Sequence, residues 1–267
     1  MHVTGLTIYP IKSTTGLHRE QFKVLKTGLQ YDRQWVVIDQ DGKAITGRQN
    51  ASLLAFSTNV GAGKLQISHK DGSKVTIPLN RAHNDGEDVQ IFSSVGHGVE
   101  VSAEANKYLS DKLNQQCTLL EFNPHKTRMV QKKHGGQEKD EVLFADMNPI
   151  LLVSEGSLND LNARLDLPIT MQHFRPNIVI DGCASFEEDR WKKIRIGECE
   201  FRIVQKCERC VFTTIDPLTG IKSPNGEPLR TLAKYRRTKS GDVAFGMHAI
   251  PTKLGTIKIN DKVEVLG

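Results

Sequence analysis

Two Asp-Gly dipeptides, Asp41-Gly42 and Asp71-Gly72, each separate short runs of alternating apolar and polar residues, and this constrains the fold more than any other feature. Asp-Gly suits the tight turns whose backbone twist matches that of paired antiparallel strands. Trp35-Val36-Val37-Ile38-Asp39 and Lys43-Ala44-Ile45-Thr46 flank the first turn, while Leu65 and Ile67 answer Val75 and Ile77 across the second. Residues 1–100 therefore read as mainly β.

The period then changes. Ala105, Tyr108, Leu109 and Leu113 recur at spacings of three and four, which predicts a helix over about 103–115, and 117–122 follows as a strand. The polar stretch 123–140 obeys neither period and reads as a domain connection or mobile loop. Beyond it, Ile150-Leu151-Leu152-Val153 is a buried strand, and Ser157 caps a helix carrying Leu158, Leu161 and Leu165, with Asp160 completing a capping box. Further strands are expected at 177–180, 194–196, 201–204, 256–259 and 262–266. The expected fold is mainly β with a few helices (α+β), divided into residues 1–120 and 121–267, rather than a doubly wound parallel sheet.

Composition narrows the function classes. The 267 residues are 38 % hydrophobic with no apolar run near the roughly 18 residues that suggest a membrane span, so no membrane partner is expected. The first ten residues lack a secretory pattern, and a cytoplasmic protein is expected. The net charge of +5 comes from dispersed cations, and aromatic residues are only 6 %, which argues against a nucleic-acid partner. No Gly-rich dinucleotide fingerprint follows a strand, and pyridoxal phosphate binding is not expected.

Five cysteines stand at 117, 183, 199, 207 and 210, and only Cys207-Glu208-Arg209-Cys210 forms a close pair. A thiolate beside cations such as Lys206 and Arg209 suits a thiophilic metal. Structural zinc and a four-cysteine iron–sulfur cluster both need ligands that this chain does not space correctly. Three strand-end segments carry cations: Pro10-Ile11-Lys12-Ser13, Tyr31-Asp32-Arg33-Gln34-Trp35 and Phe174-Arg175-Pro176-Asn177. Such cations, with Ser and Asn donors beside them, can clamp a phosphate by charge-assisted hydrogen bonds.

Lys12-Ser13, Asp32-Arg33-x-Trp35, Phe174-Arg175-Pro176-Asn177, Cys210-x-x-Thr213-Thr214 with Asp216-Pro217, and Gly246 together resemble the MOSC-domain proteins of the amidoxime-reducing component family and its bacterial YcbX relatives. The resemblance spans essentially the whole chain. It implies an N-terminal MOSC-associated β domain before a MOSC β-barrel domain, with a molybdenum cofactor (Mo-molybdopterin) between them.

It further implies Cys210 as metal ligand, with Lys12, Ser13, Arg33 and Arg175 holding the cofactor's phosphate and pterin and Arg209 and Asn177 lining the pocket. Asp146 matches the acidic segment near the metal, where it or a water relays a proton. Asn148 stands where a serine is expected. Cys207 is not the ligand in relatives, and its role stays open between structure and redox.

The implied activity is reduction of a small N-hydroxylated substrate such as a hydroxylaminopurine or amidoxime. Many bacterial members continue into a ferredoxin-like domain; no cysteine follows Cys210 here, so a separate ferredoxin- or flavoprotein-type electron donor is expected. The alternative is a non-catalytic molybdenum-cofactor or sulfur carrier.

Overall fold

The structure, a computed structural model, describes residues 1–80 and 86–267; the part of the β reading that falls on 81–85 lies outside the described residues. It is mostly β, in four sheets with a few helices. The largest sheet has eight strands in the order Val263–Val265, Lys193–Ile196, Cys199–Glu208, Ala244–Lys253, Ile150–Ser154, Ile178–Asp181, His2–Ile8 and Leu17–His18. All neighbours are antiparallel except Ile150–Ser154 and Ile178–Asp181, which pair in parallel. A parallel pair needs a crossover, and the helix Glu155–Asn162 supplies it.

His2–Ile8 pairs with Ile178–Asp181, so a strand from the start of the chain lies in the sheet built by the second half. A four-stranded sheet (Trp35–Ile38, Thr118–Phe122, Ser94–Glu100, Glu87–Ile91) and two three-stranded sheets complete the molecule.

Both Asp-Gly turns lie where the alternation puts them. Leu65 faces Ile77 and Ile67 faces Val75 in register, and all four side chains are buried in the main core. Around Asp41-Gly42 the pairing is shorter, with Ile38 bridging Ala44. The helix Ala103–Leu113 buries Ala105, Leu109 and Leu113; Ser102 Oγ accepts from Ala105 N at 3.1 Å, and Asn114 ends it in the left-handed region.

Several expectations are corrected. The helix after Ile150–Ser154 is capped by Ser154, whose Oγ accepts from Ser157 N at 3.1 Å; Ser157 sits inside and donates to the buried Glu188. The stretch 123–140 is irregular yet pinned. Arg128 is buried and donates to Ala145 O at 2.6 Å and Asp146 O at 3.2 Å, while Val130 packs with Val142 and Ile250. The strand Ala244–Lys253 was not anticipated, although eight of its residues in succession are buried. Strands Gly255–Lys258 and Val263–Val265 join different sheets across Asn260-Asp261, the first beside Gln21–Leu25 and the second beside Lys193–Ile196.

Among the described residues, no helix is long and apolar enough to cross a membrane.

Candidate functional site

One pocket collects Lys12, Ser13, Arg33, Asp146, Asn148, Arg175, Asn177, Arg209 and Cys210, every site residue expected from the sequence. Loops from both ends of the chain build it, held by backbone pairing. Ile11 bridges Trp35, Lys12 N donates to Trp35 O at 2.9 Å, and Arg33 N donates to Tyr9 O at 2.9 Å. The Lys12 and Arg33 loops thus form one double-stranded edge.

Ser13, Arg33 and Arg175 have φ of 71°, 46° and 55°. Non-glycine residues adopt this left-handed region at a cost of order 1–3 kcal/mol each, and such strain concentrates at functional sites. Three occurrences around one pocket are a structural signature in themselves.

The cations have different partners. Arg33 donates to Asp32 Oδ2 at 2.5 Å and Asn177 Oδ1 at 3.0 Å, and Asp32 accepts from Tyr9 N at 2.8 Å. Burial pushes the Asp32 carboxyl up, with the Arg33 charge opposing it. Asn177, 1 % exposed, also accepts from Leu151 N at 3.1 Å and donates to Thr7 O at 3.1 Å. Its amide is committed to protein partners, and it orients Arg33. Arg209 donates to Phe245 O at 2.8 Å and Phe174 O at 2.9 Å, tying the Ala244–Lys253 strand to the Arg175 loop.

Arg175 differs. Its guanidinium stacks 4.0 Å from the Tyr9 ring centroid and 5.5 Å from that of Phe212, with no carboxylate or carbonyl partner among the described residues. Burial lowers it to about 10 and pushes Tyr9 up to about 12, against the nearby Arg175 and Arg33 charges. A desolvated guanidinium without an anion is a place for one.

Lys12, 7 % exposed, donates to Phe144 O at 2.9 Å and pairs closely with Asp146. Burial pulls the ammonium down while Asp146 supports it. Burial alone would raise Asp146, but the Lys12 charge and hydrogen bond, with Arg48 and Arg33 behind them, outweigh it and hold the carboxyl at about 2. Asp146 is therefore ionised at neutral pH.

Cys210 is exposed at the start of the 3₁₀ helix Val211–Thr214, and Thr213 holds its carbonyl through N at 3.1 Å and Oγ1 at 2.9 Å. The neighbouring cations do not serve it: Lys206 pairs with Asp189 at 2.8 Å, and Arg209 is bound to carbonyls. Arg48 does, with Nη1 3.7 Å from Cys210 Sγ and 3.8 Å from Asp146 Oδ2.

The 46–48 loop reaches Cys210 because Gly47 lies under the Phe212 ring, where a Cβ would meet Cε2 at 2.3 Å. Cys207 is buried on the strand, and burial pushes its thiol up.

Sequence reading missed Arg48, Phe212 and His248, which also line the pocket. Arg48 and Phe212 carried no signal beyond belonging to polar or motif-adjacent loops, and His248 lies on the unanticipated strand. Among the described residues, His248 Nδ1 and Asn148 Oδ1 are buried polar atoms without a hydrogen-bond partner; Asn148 Nδ2 donates to His134 O at 3.3 Å. Desolvation, then the Arg209 charge, lowers His248 to about 4, so it is neutral at physiological pH. Among the described residues no cluster of three or more His, Cys, Asp or Glu could hold a metal without outside ligands.

Residues 1–116 match the MOSC N-terminal beta barrel domain and residues 139–264 match the MOSC domain. The chain is 36 % identical to mitochondrial amidoxime-reducing component 1 of Mus musculus over 284 residues, covering 99 % of this chain and 82 % of that protein. It is 34 % identical to the protein of the same name from Danio rerio, covering 98 % and 83 %, and 34 % identical to that from Homo sapiens, covering 99 % and 83 %.

These relatives are mitochondrial by name, which overturns the cytoplasmic expectation. The first ten residues were informative about secretion only, and free cysteines fit any reducing compartment.

Proposed function

The chain belongs to the MOSC-domain family of the amidoxime-reducing components, a family of molybdenum-cofactor proteins, and from that premise we propose that it reduces N-hydroxylated small molecules such as amidoximes or hydroxylaminopurines. The observation that carries this reading is the meeting, in one pocket, of an exposed thiol at Cys210 and an unpartnered guanidinium at Arg175. The donor set fits the group: a soft sulfur for the metal, an anion position for the phosphate, and orphaned His248 Nδ1 and Asn148 Oδ1 for polar edges of the pterin.

When bound, the cofactor would supply two-electron redox chemistry with an affinity for oxygen. The protein's part is binding, orientation and charge. Arg175 and Ser13 would bind the phosphate end; Lys12, Arg33 and Arg209, oriented by Asp146, Asn177 and carbonyls, would carry positive charge toward the pterin. Cys210 offers the metal ligand, with Arg48 beside its sulfur.

The reaction converts N–OH, two electrons and two protons into N–H and water. Ionised Asp146 pairs with Lys12, whose ammonium can give up a proton that solvent replaces, and it faces Arg48, whose fixed positive charge lies beside Cys210. The electrons come from a separate redox protein of ferredoxin or flavoprotein type.

Protein expressed with molybdate and an intact cofactor pathway should hold about one molybdenum and one pterin per chain and reduce an amidoxime with reduced viologen. Stoichiometric zinc without pterin would refute the reading. Full cofactor loading without turnover of any N-hydroxylated compound would return the protein to the carrier class.

A further inference from the structure

Phe92 breaks two rules at once. It sits in the turn between Glu87–Ile91 and Ser94–Glu100 with φ of 50°, and the residue is 56 % exposed. A turn of this kind is served without strain by Asn or Gly, and an exposed aromatic ring gives up the gain of burial. Strain and exposure at one residue persist where the residue is used.

The position says what for. The ring centroid lies 5.8 Å from Arg48 Cζ, and the same guanidinium stands 3.7 Å from Cys210 Sγ. Beside them opens a cavity of about 350 Å³ walled by Lys43, Gln49, Gln90 and Phe92, sharing Lys12, Thr46, Arg48 and Asp146 with the cofactor pocket. A benzene ring needs roughly 150 Å³.

The two amides are half-used. Gln49 Oε1 accepts from Thr46 N at 3.1 Å and Thr46 Oγ1 at 2.8 Å, and its N–H groups have no protein partner among the described residues. Gln90 Nε2 donates to Phe92 O at 2.9 Å, and its oxygen has no protein partner among the described residues. The wall thus offers an exposed aromatic ring, one face toward Arg48, flanked by one donor and one acceptor.

We propose that Phe92 is the stacking platform of a substrate subsite for planar aromatic N-hydroxylated compounds, with Gln49 and Gln90 reading the polar edge and the N–O end directed past Arg48 toward Cys210. This rests on the reductase reading above. It adds a preference among substrates: flat aromatic compounds over small aliphatic ones.

The test uses the full-length, cofactor-loaded protein with Phe92→Asn and Phe92→Tyr, and two probes, benzamidoxime and acetamidoxime. Binding is read by saturation-transfer NMR, and kcat/KM with reduced viologen. Phe92→Asn should weaken benzamidoxime binding and lower its kcat/KM about three- to tenfold, the range of an aromatic pair. Acetamidoxime should be unaffected, and Phe92→Tyr should behave as wild type.

Asn accepts the left-handed backbone, so the thermal midpoint should hold or rise, which separates the effect from misfolding. An unchanged benzamidoxime Kd in Phe92→Asn, or equal losses for both probes, would overturn the subsite. Phe92-dependent binding of benzamidoxime without turnover would uphold the subsite and refute only the reductase reading.

Discussion

Arg48 Nη1 lies 3.7 Å from Cys210 Sγ, joining residues 162 positions apart, and the same nitrogen lies 3.8 Å from Asp146 Oδ2. A guanidinium at this place withdraws charge from the sulfur. Replacing it should alter what the sulfur donates to a metal while leaving the phosphate clamp intact. Arg48→Ala should therefore retain cofactor, lose about tenfold in kcat and shift the EPR signature of the half-reduced metal. Unchanged kcat and spectrum at matched molybdenum content would show that the contact is incidental.

Cys210→Ser should abolish reduction driven by reduced viologen while much of the cofactor remains, because the soft donor goes but the anion clamp stays. Cys207→Ser should keep a substantial part of the activity, since Cys207 is buried and its thiol bonds weakly to Glu208 O at 3.7 Å. Assays at matched molybdenum content distinguish a lost ligand from a lost cofactor. Greater damage from Cys207→Ser would reverse the assignment.

Arg175→Ala should cut cofactor affinity about 10- to 100-fold, as expected for losing a charge-assisted hydrogen bond. Lys132→Ala should leave affinity unchanged, because Lys132 is exposed and outside the pocket. Pterin and molybdenum per chain after dialysis measure both. Equal retention would remove Arg175 from the clamp.

His248 binds its proton at about 4 in the folded chain and near 6.5 when unfolded. Between these values the unfolded chain holds more protons, so stability is full above pH 6.5 and falls as pH drops toward 4, by on the order of 3 kcal/mol. His248→Gln should flatten that slope in thermal midpoints recorded from pH 7 to 4. An unchanged slope would mean that His248 is not the buried neutral group described.

Gly246 has φ of 77°, and a Cβ there would lie 2.6 Å from Val153 Cγ2 and 2.8 Å from Leu152 O. Gly246→Ala should destabilise the protein by about 2 kcal/mol or more, from backbone strain and a collision in the central sheet. Urea unfolding tests this directly, and a loss under about 0.5 kcal/mol would contradict the packing.

Local signals carried much of the fold. The Leu65/Ile77 register and the helix Ala103–Leu113 follow from alternation, period and turn chemistry, all within a few residues of sequence. Ala244–Lys253 escaped because Gly246 and Pro251 punctuate it like a loop, whereas a central strand buried on both faces shows no alternation. Ser154 rather than Ser157 caps its helix because the strand runs directly into the first turn, with Glu188 taking the Ser157 hydroxyl.

At the site, the motif residues Lys12, Arg33, Arg175 and Cys210 were legible, and the pocket brings them together. Arg48 and Phe92 were not. Their relevance arises from tertiary placement, a loop lying under Phe212 and a strained hairpin tip, which no residue spacing encodes.

The pairing of His2–Ile8 with Ile178–Asp181 bears on how the chain is made. The first strand leaves the ribosome first, yet its partner follows some 170 residues later. At about 5–20 residues per second that is a delay of roughly 10–35 s. Throughout it only the end of the strand can pair, Thr7 and Ile8 with His18 and Leu17, while Val3 and Leu6, buried at the end, lack the neighbour that covers them. Nascent chains stalled before residue 178 should hold this segment open to proteases and chaperones, and only synthesis past 181 should close it.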